Sequence, residues 1–157
     1  MTAKPKPIPD GYHTFTPYLI VSDGARAIEF YQQAFGATER GRLAAPDGRI
    51  MHAEIQIGDS VIMLASECPE MGAKSPQAFG GSPVMLHLYV PEVDKTFAQA
   101  TAAGAKVKRP VQNQFYGDRS GGLVDPFGHR WNLATHIEDV SPEEMKSRMA
   151  AMKGQSC

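Results

Sequence analysis

The chain has 157 residues, 42% of them hydrophobic and 21% charged, a balance typical of one globular domain or of two small units that share a core. Its formal net charge of −1 offers no basic field to a nucleic acid, and no apolar run approaches the roughly 20 residues that span a bilayer, so we expect neither partner. Two cysteines, Cys68 and Cys157, are too few for a disulfide framework, and without a secretion signal they favour a cytoplasmic location.

Elements in the first half of the chain follow the order strand, helix, strands. Residues 1–13 are rich in proline and are expected to form an extended arm. A strand is predicted at 14–21, and an amphipathic helix at 25–35 is closed by a glycine. Two more strands are predicted at 49–57 and 60–65, joined by a Gly-Asp turn.

The same order returns after a linker. Residues 68–83 are rich in glycine, proline and serine, as expected of a connection between two units. Residues 110–117 are expected to form a loop or an irregular strand. The regular elements of this half are a strand, a helix and two strands, predicted at 84–90, 93–103, 118–124 and 130–134.

The repeated order, at a spacing of about 70 residues, indicates two copies of one supersecondary unit that bury their apolar faces together. Paired units of this kind create a cleft between them, and the cleft is where we expect a ligand. The chain is therefore divided into an arm, a first module, a linker, a second module and a C-terminal helix, at 1–13, 14–67, 68–83, 84–137 and 138–157.

The tail carries the start of this C-terminal helix. Ser141 is placed to cap it, with Pro142 at the first helical position and Glu144 three residues after the cap. Methionines then recur at helical spacing and form one apolar stripe, at Met145, Met149 and Met152. The stripe predicts packing against the body or a partner subunit, or an adaptable methionine surface.

Alternation along the strands separates an apolar face from a mixed one. In the strand that opens the second module, Met85 and His87 point away from an apolar face that we expect to lie against a helix. The residues of this apolar face are Val84, Leu86, Leu88 and Val90. In the first module, His52 and Glu54 likewise point away from an apolar face. A mixed sheet surface, mostly apolar with a few placed polar groups, is typical of a ligand pocket.

Four short motifs stand out: AIEFY at 27–31, FGA at 35–37, AGA at 103–105 and DPFGHRW at 125–131. Together they resemble the vicinal oxygen chelate superfamily, which includes glyoxalase I, bleomycin-resistance proteins and extradiol dioxygenases. The match covers residues 14–137, and the strand His52-Ala53-Glu54 is similar to the PhnB-like branch. The resemblance implies an α+β fold in which two βαβββ modules form a curved mixed sheet with helices on its convex side, and it implies a homodimer.

In the metal-dependent members of this superfamily, each module supplies one ligand from its first strand and one from its last. The resemblance places these positions at Thr16, Met63, Met85 and Asn132. A hydroxyl, two thioethers and an amide do not suit a hard divalent cation. We therefore expect no metal there and no cofactor. Because the usual chemistry depends on that ion as a Lewis acid, glyoxalase I, dioxygenase and metal-dependent epimerase activities are disfavoured.

A polar cluster is expected beside these positions. One interpretation is a displaced metal site formed by His52, Glu54 and His87. A second is metal-free acid–base chemistry, in which Glu54 or His52 accepts a proton and Arg119 braces an anion. A third is a pocket wall that binds without catalysis. The predicted pocket residues are Thr16, Tyr18, Met63, Met85, His87, Arg119 and Asn132.

Two functions of different class follow from this cluster. The first is a protein that binds a small molecule in its cleft, in the manner of resistance proteins that sequester a drug in a dimer. The second is a lyase or isomerase that acts on a small oxygenated substrate through His52 and Glu54. A pure interaction scaffold is a further alternative, and it would leave no cavity near His87.

Overall fold

Each half of the chain folds into one strand, one helix and three further strands, in a computed structural model that describes residues 4–152. The first module contains β1 (Tyr18–Val21), α1 (Gly24–Phe35), β2 (Thr38–Ala44), β3 (Ile50–Ile57) and β4 (Ser60–Ser66). The second module contains β5 (Met85–Tyr89), α2 (Val93–Ala102), β6 (Lys106–Asn113), β7 (Asp118–Val124) and β8 (Arg130–His136). A C-terminal helix, α3 (Pro142–Ala151), follows.

The two modules have the same sheet topology. Their strand orders are β1-β4-β3-β2 and β5-β8-β7-β6. The first strand of each module pairs in parallel with the last strand, and the remaining pairs are antiparallel. This arrangement confirms the predicted α+β fold of two βαβββ modules, and it gives β1 and β5 one free edge each.

Helix α1 illustrates how local sequence fixes an element. Asp23 caps its first turn by accepting a hydrogen bond of 3.1 Å from the backbone N–H of Arg26. Gly36 ends the helix in the left-handed conformation, at φ 67°, which glycine adopts without steric cost. The apolar stripe of the helix buries Ile28 and Tyr31 completely. The helix therefore contributes its apolar side to the core.

The core is shared between the modules, and Asp125 lies at its centre. This buried carboxylate accepts hydrogen bonds from the Tyr31 hydroxyl of α1 at 2.7 Å and from the Trp131 indole of β8 at 2.9 Å. Its other oxygen accepts the backbone N–H groups of Phe127 and His129 at 2.9 and 3.0 Å. Burial raises the pKa of Tyr31 well above its ordinary value, and the nearby Asp125 charge adds to this shift. Trp131 itself belongs to the core, with 2% exposure.

The structure agrees with some expectations for the second module and the linker and departs from others. Pro110 lies within β6, where the pairing with β7 shifts register, so residues 110–113 form the irregular strand that was one of the two expectations for 110–117. Proline is tolerated there because β6 is an edge strand. Val84 is 62% exposed rather than packed under a helix, since it precedes β5. The linker contains two short 3-10 turns, Pro69–Met71 and Pro76–Phe79.

The C-terminal helix begins where it was predicted. The Ser141 hydroxyl accepts a hydrogen bond of 3.2 Å from the backbone N–H of Glu144. The methionine stripe is not buried, however: Met149 and Met152 are 59% and 40% exposed, and Met145 is only half-buried. Cys157 lies outside the described residues. Within the described part of the chain, no helix is long and apolar enough to cross a membrane.

Candidate functional site

The sheet face away from α1 and α2, called the open face below, carries a hydrogen-bonded chain in the first module. The Tyr18 hydroxyl lies 3.0 Å from His52 Nδ1, and His52 Nε2 lies 3.3 Å from Glu54 Oε1. Tyr12, in the N-terminal arm, donates its hydroxyl proton to the other oxygen of Glu54. The simplest assignment gives His52 its proton on Nε2, so that Tyr18 donates to Nδ1.

These contacts determine what Glu54 can do. The Tyr12 hydrogen bond, with a smaller contribution from His52, lowers the pKa of Glu54, while partial burial acts in the opposite direction. Glu54 is therefore an ionised acceptor that holds two donors. A carboxylate stabilised in this way is a weaker base than a free one, which favours binding over proton abstraction at this position.

A second polar chain lies on the open face of the second module. Arg109 donates to Asn132 Oδ1, and Asn132 Nδ2 lies 2.9 Å from His87 Nδ1. Because the Asn132 amide donates to Nδ1, His87 carries its proton on Nε2 and can present it to a ligand. Gly122 of β7 lies between them in the sheet, in register with both Arg109 and Asn132.

Arg109 was not among the predicted residues, and Arg119 was assigned to this face in error. The Arg119 guanidinium makes two hydrogen bonds of 2.7 Å to Asp94 of α2, so it lies on the helix side of the sheet. The strand alternation explains the difference, because Gly122, not Arg119, is in register with Asn132. The Arg119–Asp94 pair lowers the pKa of Asp94.

The positions that hold a metal in metal-dependent relatives do not fit one here. Met63 and Met85 offer thioethers and Thr16 offers a hydroxyl, which are poor donors for a hard divalent cation. Asn132 is the only amide of the set, and its oxygen already accepts the cationic guanidinium of Arg109. A second cation at that oxygen would be repelled.

The three residues of the predicted displaced metal site do not come together. His52 and Glu54 meet on β3, whereas the His87 ring lies against Tyr89, with their ring centroids 4.6 Å apart. Among residues 4–152, no group of three or more histidine, cysteine, aspartate or glutamate side chains is arranged to hold a metal ion.

Sequence reasoning also missed a network at the far end of this face. Asp118, which is buried, accepts the Tyr89 hydroxyl at 2.8 Å and lies 2.8 Å from His136 Nδ1. The other ring nitrogen of His136 lies 2.8 Å from Asp139. The two carboxylates, Asp139 first, raise the pKa of His136. A histidine between two carboxylates favours the imidazolium form, which donates to both.

A cavity of about 530 Å³ lies between the free edges of β1 and β5, and we call it the seam cavity. Its lining is mainly apolar, with side chains such as Phe15, Leu86 and Trp131. It includes four of the predicted pocket residues: Thr16, Tyr18, Met85 and His87. The other predicted residues lie outside its lining: His52, Glu54, Met63, Arg119 and Asn132.

The chain is similar to proteins of one family. A family model described as the Glyoxalase/Bleomycin resistance protein/Dioxygenase superfamily matches residues 12–133. An uncharacterized protein of Mycobacterium tuberculosis is 42% identical over 139 residues, which cover 87% of this chain and 82% of that protein.

Solved structures support the same comparison. The crystal structure of TioX from Micromonospora sp. ML1 matches with a TM-score of 0.63 and 27% identity, over 80% of this chain and 99% of that one. The PhnB protein from Bacillus cereus matches with a TM-score of 0.61 and 17% identity, over 78% of this chain and 99% of that one. At 17% identity the likeness shows the fold alone.

Proposed function

Because the chain belongs to the Glyoxalase/Bleomycin resistance protein/Dioxygenase superfamily, we propose that it binds a small molecule in the seam cavity and does so without the family's usual metal. The observation that carries this proposal is the cavity itself. Its volume of about 530 Å³ falls within the range of small-molecule sites, roughly 300–1,000 Å³. An interaction scaffold with a closed sheet seam would not need such a space.

Two polar groups can orient a ligand in this apolar space. His87 directs its Nδ1 to Asn132, which leaves the Nε2 proton as a donor. The Tyr18 hydroxyl is hydrogen-bonded to His52, which is hydrogen-bonded to Glu54. A ligand that contacts Tyr18 would therefore be next to this hydrogen-bonded chain. A largely apolar lining with a few placed polar groups supports recognition of a small, partly polar molecule.

Filling the cavity should abolish binding. We expect Thr16→Trp to remove binding of the neutral probe 1-decanol, because Thr16 lines the cavity and the indole would occupy its space. The matched control is Thr38→Trp, at an exposed position that begins β2 outside the cavity. Binding is measured by chemical-shift titration of the ¹⁵N-labelled protein. Equal decanol binding by the wild type and Thr16→Trp would exclude the seam cavity as the site.

The alternative function is a lyase or isomerase acting on a small oxygenated substrate. The observation in its favour is the continuous chain from Tyr18 through His52 to Glu54, which could move a proton along the open face. We expect the double variant His52→Ala/Glu54→Ala to bind decanol nearly as the wild type does. The activity is measured by NMR as C–H exchange of dihydroxyacetone in D₂O. If the wild type catalyses this exchange and the double variant does not, the enzyme is favoured instead.

We also propose that the protein forms a homodimer. Large apolar side chains are exposed on and beside the open face: Phe15, Tyr18, Met85 and Tyr89, at 84%, 48%, 52% and 60%. The exposed methionines at the C-terminal end of α3, Met149 and Met152, would help to close the same interface. Sedimentation equilibrium should then give twice 17.1 kDa for the wild type and a weaker dimer for Met149→Glu. Met71→Glu, at a linker position that is 84% exposed, should leave the dimer unchanged.

Two finer assignments accompany this proposal. The strand His52-Ala53-Glu54 supports membership of the PhnB-like branch. The small number of cysteines supports a cytoplasmic location.

A further inference from the structure

Two further cavities lie along the linker beside the seam cavity. Tyr18 lines both the seam cavity and a neighbouring space of about 260 Å³. Gly81 and Ser82 line this space and a further one of about 590 Å³. We call the two outer spaces the linker groove. Shared lining residues make the seam cavity and the linker groove neighbours along one path.

The linker groove is lined by positive charge. Its ionisable side chains, besides one histidine, are Lys74, Lys108 and Arg130. Within residues 4–152, no carboxylate lines the groove or the seam cavity. Among the residues that the structure describes, none of the three cations takes part in an ion pair. The groove is therefore a cationic surface without an internal counterion.

The opposite end of the path carries a negatively charged side chain. A cavity beyond the seam is lined by Asp59 and shares Ile57, Ser60 and His87 with the seam cavity. The path thus runs from a carboxylate at one end, through an apolar middle, to three cations at the other. Such a charge gradient would orient an elongated charged ligand in one direction.

The linker that forms one wall of the groove is held against the second module by specific contacts. Gln77 donates a hydrogen bond of 2.9 Å to the Pro126 carbonyl in the turn between β7 and β8. Gly128, in that turn, approaches so closely that a Cβ there would meet Pro76 at 3.0 Å. On the opposite wall, Arg130 pairs with Met85 of the seam cavity in the parallel β5–β8 ladder. The cationic end and the apolar cavity are therefore held together by regular structure.

We propose, on the basis of the binding function given above, that the ligand is an amphipathic anion. Its apolar body occupies the seam cavity, and its anionic head group lies in the linker groove between Lys108 and Arg130. Cationic ligands are disfavoured by the same groove. Each ionic contact here is exposed and individually modest, so discrimination depends on the two cations acting together.

The test uses three probes with the same decyl chain and different head groups: decanoate, 1-decanol and decyltrimethylammonium. We expect decanoate to bind the wild type about tenfold more tightly than decyltrimethylammonium at low ionic strength, with the difference shrinking as salt is added. The double variant Lys108→Gln/Arg130→Gln should weaken the binding of decanoate about tenfold and leave the affinity for decanol unchanged. The matched control, Lys95→Gln/Lys146→Gln, removes two exposed cations outside the groove and should change neither affinity.

The outcomes separate this inference from the function on which it rests. If decanol binds and decanoate binds no more tightly than decyltrimethylammonium, the anion preference is wrong while the seam cavity remains a binding site. If the control double variant weakens decanoate as much as the groove variant does, the effect is one of net charge and the inference is again wrong. If none of the three probes binds, the binding function itself fails.

Discussion

Replacing Asp125 with alanine is expected to lower the free energy of unfolding by about 4 kcal/mol. One buried carboxylate accepts four hydrogen bonds, from the Tyr31 hydroxyl, the Trp131 indole and two backbone N–H groups. Alanine would leave the donors of Tyr31 and Trp131 buried without an acceptor, because both side chains are at most 2% exposed. Each unsatisfied buried donor costs about 1–3 kcal/mol.

The measurement is urea unfolding followed by the fluorescence of the single tryptophan, at neutral pH. Asp59→Ala is the matched control, since Asp59 occupies the corresponding hairpin turn of the first module but is exposed, and its carboxylate accepts only the Ser60 hydroxyl among residues 4–152. We expect Asp59→Ala to lower the free energy of unfolding by less than about 0.5 kcal/mol. If both variants lower the free energy of unfolding by a similar amount, the hydrogen bonds of Asp125 do not stabilise the contact between the modules.

The modular fold could be predicted because local sequence signals agree with it. The Asp23 cap and the Gly36 terminus bracket α1 within one or two residues of the predicted bounds. Strand β2 was not placed, and β6 was expected only from residue 110 on and only as one of two interpretations, because both are edge strands with exposed residues and lack a continuous apolar alternation. Pro110 in β6 added a misleading loop signal.

The site could be predicted only where alternation is unambiguous. In β3 the buried Ala53 and Ile55 alternate with His52 and Glu54, so their face was clear from the sequence. In β7 the Gly121-Gly122 pair gives no such marker, and Arg119 was placed on the wrong face. Asp118 and His136 meet because of the register between β7 and β8. The pattern of residues along one strand does not specify its register with another strand.

The seam cavity lies beyond what either module's sequence specifies. The four residues predicted at its lining came from the first strand of each module, Thr16 and Tyr18 near β1 and Met85 and His87 in β5. Strand faces indicate which side chains point away from a helix. They do not indicate that the edges of β1 and β5 remain unpaired, because that depends on how the shared core sets the modules side by side.

The second large effect concerns Gly24, at the first position of α1. We expect Gly24→Ala to lower the free energy of unfolding by about 3 kcal/mol, near the upper end of the usual range for overpacking a core. A Cβ at this position would lie 2.5 Å from Ile50 Cβ and 2.9 Å from Ser66 Oγ. Ile50 is only 2% exposed, so it cannot swing into solvent to make room. The clash outweighs the helix propensity of alanine, which is worth at most about 1 kcal/mol.

Thermal and urea unfolding of a double-mutant cycle isolates this contact. Ile50→Ala removes the side-chain atoms beyond Cβ, including the Cγ1 that would lie 2.8 Å from the new Cβ. The cost of Gly24→Ala should therefore be smaller in the Ile50→Ala background than in the wild type, by about 1 kcal/mol or more. Gly41→Ala is the matched control, because a Cβ there would meet no atom within 4 Å. Equal costs of Gly24→Ala in both backgrounds would show that the loss arises from something other than the close approach of α1 to β3.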